Sequence, residues 1–73
     1  AHDNDSINKI IIAESLSKLE DDFRIPLIMA EYENYSYTEI SEKLDLPVNT
    51  VRTRIFRARK KLLEIIKKMG VTL

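Results

Sequence analysis

The stretch that most constrains this chain runs from Val48 to Met69. There Val48, Val51, Ile55, Ala58, Leu62, Ile65 and Met69 recur at alternating steps of about three and four residues. That spacing draws one continuous apolar stripe down an α-helix, and no strand would gather those residues on one side. The stripe needs cover, so the rest of the chain must pack against it. At about 100° per residue, Asn49, Arg52, Thr53, Phe56, Arg57 and Lys60 fall on the opposite side, and Arg54 and Arg59 fall on the flanks. The uncovered face is therefore basic, with one aromatic ring set among cations.

The charge distribution sharpens this. Formal net charge is zero, which by itself argues against an anionic partner. Yet the residues up to Leu46 carry nearly all the acids, with only Lys9, Lys18, Arg24 and Lys43 against them. From Pro47 on, Arg52, Arg54, Arg57, Arg59, Lys60, Lys61, Lys67 and Lys68 face only Glu64. Positive charge gathered on one helix is the electrostatic footprint of a nucleic-acid-facing element. A merely solvated face, as on a coiled-coil strand, normally mixes both signs.

Upstream, the pattern predicts three shorter helices, giving an all-α, four-helix fold over residues 1–73 as a single domain. Ala1 to Asp5 is polar and is expected to be loose, or a remnant of a tag. Asp5 or Ser6 then caps a first helix over about 6–18, with Ile7, Ile11, Ile12, Leu16 and Leu19 supplying apolar contacts. A second helix is expected over about 21–33, with Glu20, Asp21 and Asp22 at the positive end of its dipole. Pro26 is awkward there, because it cannot donate a backbone hydrogen bond: the helix either starts just before it or bends. Ser36 and Glu39 read as a capping box opening a third helix over about 37–44. Tyr37, Ile40 and Leu44 share one side of that helix. The tyrosines Tyr32, Tyr35 and Tyr37 read as half-buried wedges. Asp45-Leu46-Pro47 makes the turn into the long helix, about 48–68, which spans roughly 30 Å. Gly70 is its expected terminator.

A short helix, a tight turn and a long basic helix make a helix-turn-helix, with the last helix as the recognition element. The major groove of duplex DNA admits an α-helix; Arg pairs bidentately with guanine, Asn with adenine, and an apolar group meets the thymine methyl. Phe56 is the candidate apolar group.

The segments SYTEIS, LPVNTV and RTRIFRARKKL resemble region four of bacterial sigma factors, the C-terminal promoter-reading domain, and most closely the extracytoplasmic-function group. The resemblance runs from about Leu19 to about Leu63, and its most specific part is Arg52, Arg54, Arg57 and Arg59 set around Ile55 and Phe56. It implies that Arg52, Thr53, Phe56 and Arg57 face the bases of the minus-35 element in the major groove. Asn49, Thr50, Arg59, Lys60 and Lys61 are the expected phosphate contacts, and Arg54 is expected in a structural ion pair. It also implies as partners promoter DNA, core RNA polymerase through the β flap, and an anti-sigma factor, in the cytoplasm of a bacterium at its nucleoid. The chain departs from the family pattern at Glu20, where Pro commonly follows the Leu, and at Asn49, where Gly is common. A whole sigma factor has another domain that melts the promoter and binds core polymerase; its absence from these 73 residues implies a fragment. The rival readings are a response-regulator-type helix-turn-helix factor and a helical protein-interaction adaptor.

Other classes find no support in the residues. With no Cys and one His, neither a disulfide frame nor a metal or other cofactor site is expected. The paired acids Asp21 and Asp22 have no nucleophile or Gly-rich turn beside them, so no catalytic constellation is expected and the chain is read as a non-enzyme. No apolar run approaches the roughly 18 residues of a membrane span, so neither a membrane nor a small-molecule ligand is expected.

Overall fold

The computed structural model describes residues 2–70, with side chains from Ser6 onward. It is all-α over these residues: α1 (His2–Ser17), α2 (Asp21–Glu31), α3 (Tyr37–Leu44) and α4 (Val48–Lys68). α4 is the axis of the fold, and each of the other three helices packs on it. Val51, Ile55 and Ala58 are fully buried along its inner side, together with Ile40 of α3, Leu27 and Met29 of α2, and Leu19 from the connection after α1. Each such large aliphatic side chain contributes about 1.5–3 kcal/mol when taken out of water, so a core this small rests on few residues. Leu16, Phe23, Ala30, Tyr35, Tyr37, Leu44, Leu46, Leu62 and Ile65 close its rim.

α1 departs from expectation at its start. It begins at His2 rather than at Asp5 or Ser6, because no Gly or Pro interrupts those residues and the helix propagates backward past the candidate caps. Ala1 lies outside the described residues. Of the apolar positions assigned to α1, Leu16 joins the core rim and Leu19 the core, Ile11 and Ile12 are half-buried, and Ile7 stays 53% exposed, with its neighbour Ile10 at 65%. The reason is where α4 ends. Met69, just past its last turn, lies against Ser15, whose buried hydroxyl donates to the Ile11 carbonyl at 2.7 Å and meets the Met69 sulfur at 3.3 Å. α4 therefore covers only the second half of α1. Gly70, at φ 82°, takes the left-handed conformation that stops the helix.

α2 runs through Pro26 without ending there. Pro26 is buried and leaves the Asp22 carbonyl without its usual intrahelical donor, at a residue that lies on the surface. The helix starts after Glu20, whose backbone is extended and whose side chain makes no cap; the Arg24 guanidinium instead donates to the Leu19 carbonyl at 2.9 Å. α2 closes at Glu31, two residues short of the expected end, and Asn34 turns the chain with φ 58°. The Tyr35 amide then donates to the Met29 carbonyl at 3.0 Å, tying the connection back to α2. Tyr35 and Tyr37 are half-buried, but Tyr32 is 55% exposed, so only two of the three tyrosines act as wedges.

Candidate nucleic-acid interface

The outer face of α4 is presented by the way α3 and the turn hold it. Ser36 is the N-cap of α3: its Oγ accepts from the Glu39 amide at 3.1 Å, and its own amide donates to Glu39 Oε1 at 2.9 Å. That backbone donor, followed by the Ser36 side chain, holds the Glu39 carboxyl below its ordinary value. A lowered folded value means that this contribution to stability is present above the ordinary carboxylate range and is lost as pH falls through the folded value. Ser36→Ala is expected to cost about 1 kcal/mol in chemical denaturation at neutral pH. The difference between the variant and the parent chain should narrow in acid.

At the other end of α3, Asp45 adopts the left-handed conformation (φ 54°, ψ 50°) and its amide donates to the Ser41 carbonyl. Ser41 fastens the turn twice more: its carbonyl accepts from the Leu46 amide at 3.0 Å and its hydroxyl donates to the Leu46 carbonyl. The sequence reading missed Ser41. A Ser in the last turn of a helix, five residues before the turn's apolar plug, was the signal. Pro47 stands at the N-cap with ψ 143°, one position earlier than the first helical residue, so α4 opens at Val48.

α4 is rotated as the apolar stripe requires. Val51 and Ile55 are fully buried, while Arg52, Thr53, Phe56, Arg57 and Lys60 face outward, with Asn49 beside them. Thr50 is half-buried. Phe56 is 59% exposed, and the Lys60 ammonium lies 5.1 Å from its ring centre. The Thr53 hydroxyl donates to the Asn49 carbonyl at 3.0 Å. With its proton engaged there, Thr53 offers outward a lone pair and a methyl group, fit for an exocyclic amine or a thymine methyl.

The cations of α4 divide by where they are held. Along one edge, Arg54 reaches Asp22 at 3.7 Å, the structural pair its flanking position predicted, and the Lys61 ammonium sits 5.1 Å from the Phe23 ring centre. Along the other edge, Arg59 is bound to Glu31: its Nε donates to Oε1 at 2.8 Å and its Nη2 bonds the same oxygen. That hydrogen bond, with a smaller contribution from Tyr37, holds the guanidinium above its ordinary value. Arg59, the expected phosphate contact, is bound here to Glu31, because α2 ends alongside it with an acid that lies 28 residues away in sequence. Arg52, on the same edge, lies over the Tyr37 ring at 5.9 Å. Arg57 makes no hydrogen bond or ion pair among the described residues. Arg52 and Arg57, on the outer face, are the α4 arginines with no acid beside them among the described residues.

Away from α4's outer face, α1 and α2 leave an apolar groove lined by Ile12, Ala13, Leu16, Ile28 and Tyr32, with Lys9 at its rim. Among the described residues no group of His, Cys, Asp and Glu is placed to hold a metal ion. No helix there is long and apolar enough to cross a membrane.

Comparison with known proteins agrees with this geometry. The family model described as Sigma-70, region 4 matches residues 9–62. The chain is 42% identical over 50 residues to the ECF RNA polymerase sigma-E factor of Haemophilus influenzae, a match that covers 68% of this chain and 26% of that protein. The proteins of the same name from Salmonella typhimurium and from Escherichia coli K12 match at the same identity and coverage. The chain spans about a quarter of the length of these relatives. The response-regulator and adaptor alternatives are not favoured. With an exposed basic helix on a helix-turn-helix frame and the family match along most of its length, the chain belongs to the sigma-70 region 4 family, as a region-four domain of the ECF group.

Proposed function

We propose that this domain reads the minus-35 promoter element by laying α4 in the major groove, with Arg52, Thr53, Phe56 and Arg57 toward the bases. The observation that carries this reading is the division of the cations. Arg59 is hydrogen-bonded to Glu31 and Arg54 has Asp22 beside it, while Arg52 and Arg57 have no acid beside them among the described residues and present their guanidinium donors outward. Asn49, Thr50 and the amides at the start of α4 meet phosphate, where the helix dipole favours an anion. Lys60 and Lys61 add phosphate contacts. Arg59 touches a phosphate only by exchanging Glu31 for it. Selection of duplexes from a randomised pool by the 73-residue chain tests the reading: recovery of one short shared element supports it, and recovery without enrichment overturns it. Lys60→Ala is expected to weaken selected and random duplexes alike and to make the slope of log K against log salt shallower by about 1. Lys61, drawn toward Phe23, should show less of this. Titrations across a salt series check both.

The same reading places the domain in a bacterial cytoplasm with core RNA polymerase. The apolar groove between α1 and α2 supports docking on the polymerase β flap, and an anti-sigma factor covering that groove or α4 would silence the protein.

A further inference from the structure

The proposal concerns how Arg52 is aimed. Arg52 is exposed and has a long, many-rotamer side chain, yet base readout requires its planar fork in one orientation. A side chain ordered before binding loses less freedom on pairing. Tyr37 is the residue against which Arg52 rests, with the guanidinium carbon 5.9 Å from the ring centre. That ring is itself fixed from below. Tyr37 is the first residue of α3, directly after the Ser36 cap, and it is half-buried against the core. The start of α3 therefore reaches Arg52 through one aromatic side chain.

We propose that Tyr37 is a positioning residue for DNA readout: its ring, held by the α3 cap and the core, orients Arg52 toward the base it reads. This rests on the promoter-reading function proposed above. Tyr37 touches no base itself and acts through Arg52.

The test uses the ratio of affinities for the pool-selected duplex and a random duplex at one salt concentration. That ratio cancels any loss of folded protein, since both affinities scale with the same folded fraction. Tyr37→Leu is expected to lower the ratio about two- to fivefold, the range for an exposed cation–π contact. Tyr37→Phe, which keeps the ring, should restore it. In an Arg52→Ala background, Tyr37→Leu should lower the ratio no further. If Arg52→Ala lowers the ratio and Tyr37→Leu does not, or if Tyr37→Leu lowers it equally with and without Arg52, the positioning role is overturned while promoter reading stands. If the parent chain shows no preference for any duplex, promoter reading fails and this inference fails with it.

Discussion

Ile55→Ala is expected to lower the stability of the domain by about 2–5 kcal/mol. Ile55 is fully buried on α4 within the cluster that includes Leu27, Ile40, Val51 and Ala58. α2 and α3 meet α4 there, with Leu19 of the connection after α1, so truncation opens a cavity that no single element can move to fill. Domains of this size sit toward the low end of the about 5–15 kcal/mol typical of folded proteins. A loss of that magnitude leaves much of the variant unfolded at growth temperature. The neighbouring Phe56→Ala should stay within about 0.5 kcal/mol, as expected for a position 59% exposed and outside the core cluster. The pair is a direct measure of helical phase. Chemical denaturation with an unchanged m-value reads it, and reversed magnitudes would mean that the packed and open sides of α4 had been exchanged.

Arg57→Ala is expected to cost about 1–3 kcal/mol on the selected duplex, the value of a good bidentate base contact. Arg52→Ala should fall in the same range. Arg57→Ala should leave the denaturation midpoint nearly unmoved, because the side chain lies at the surface with no ion-pair partner among the described residues, and Arg52→Ala should lose at most about 0.5–1 kcal/mol, from its contact with the Tyr37 ring. On random duplex each should lose only what one cation contributes to the field around the phosphates. Equal small losses on both duplexes would mean that this face attracts DNA by charge alone and reads no sequence. Parallel titrations at one fixed salt concentration separate the two outcomes.

Much of this was legible in the residues because it follows from local rules. The stripe from Val48 to Met69 fixes the inner side of α4 by spacing alone. Ser36 with Glu39 marks the opening of α3, where the capping box forms as written. Asp45 before Leu46-Pro47 marks the turn. Other local signals misled. The polar residues after Ala1 suggested a loose end, yet α1 begins at His2, since polarity by itself does not stop a helix. Ile7 carried the helical spacing of a core residue and is exposed, because spacing places a residue on a face and cannot supply the element that covers it.

By itself, then, the sequence determined four helices, the rotation of the last one, and the gathering of positive charge on its outer face. Each of these is set within a few residues by helical geometry and capping. Which acids the flanking arginines meet was decided only by the tertiary structure. Arg54 and Arg59 carry the same charge as Arg52 and Arg57; helical position puts them on the flanks, and the two ends of α2 bring Asp22 and Glu31 beside them. The sequence separations of 32 and 28 residues that those pairs bridge are closed by the packing of α2 on α4, and no local pattern encodes where that packing sets one acid against one base.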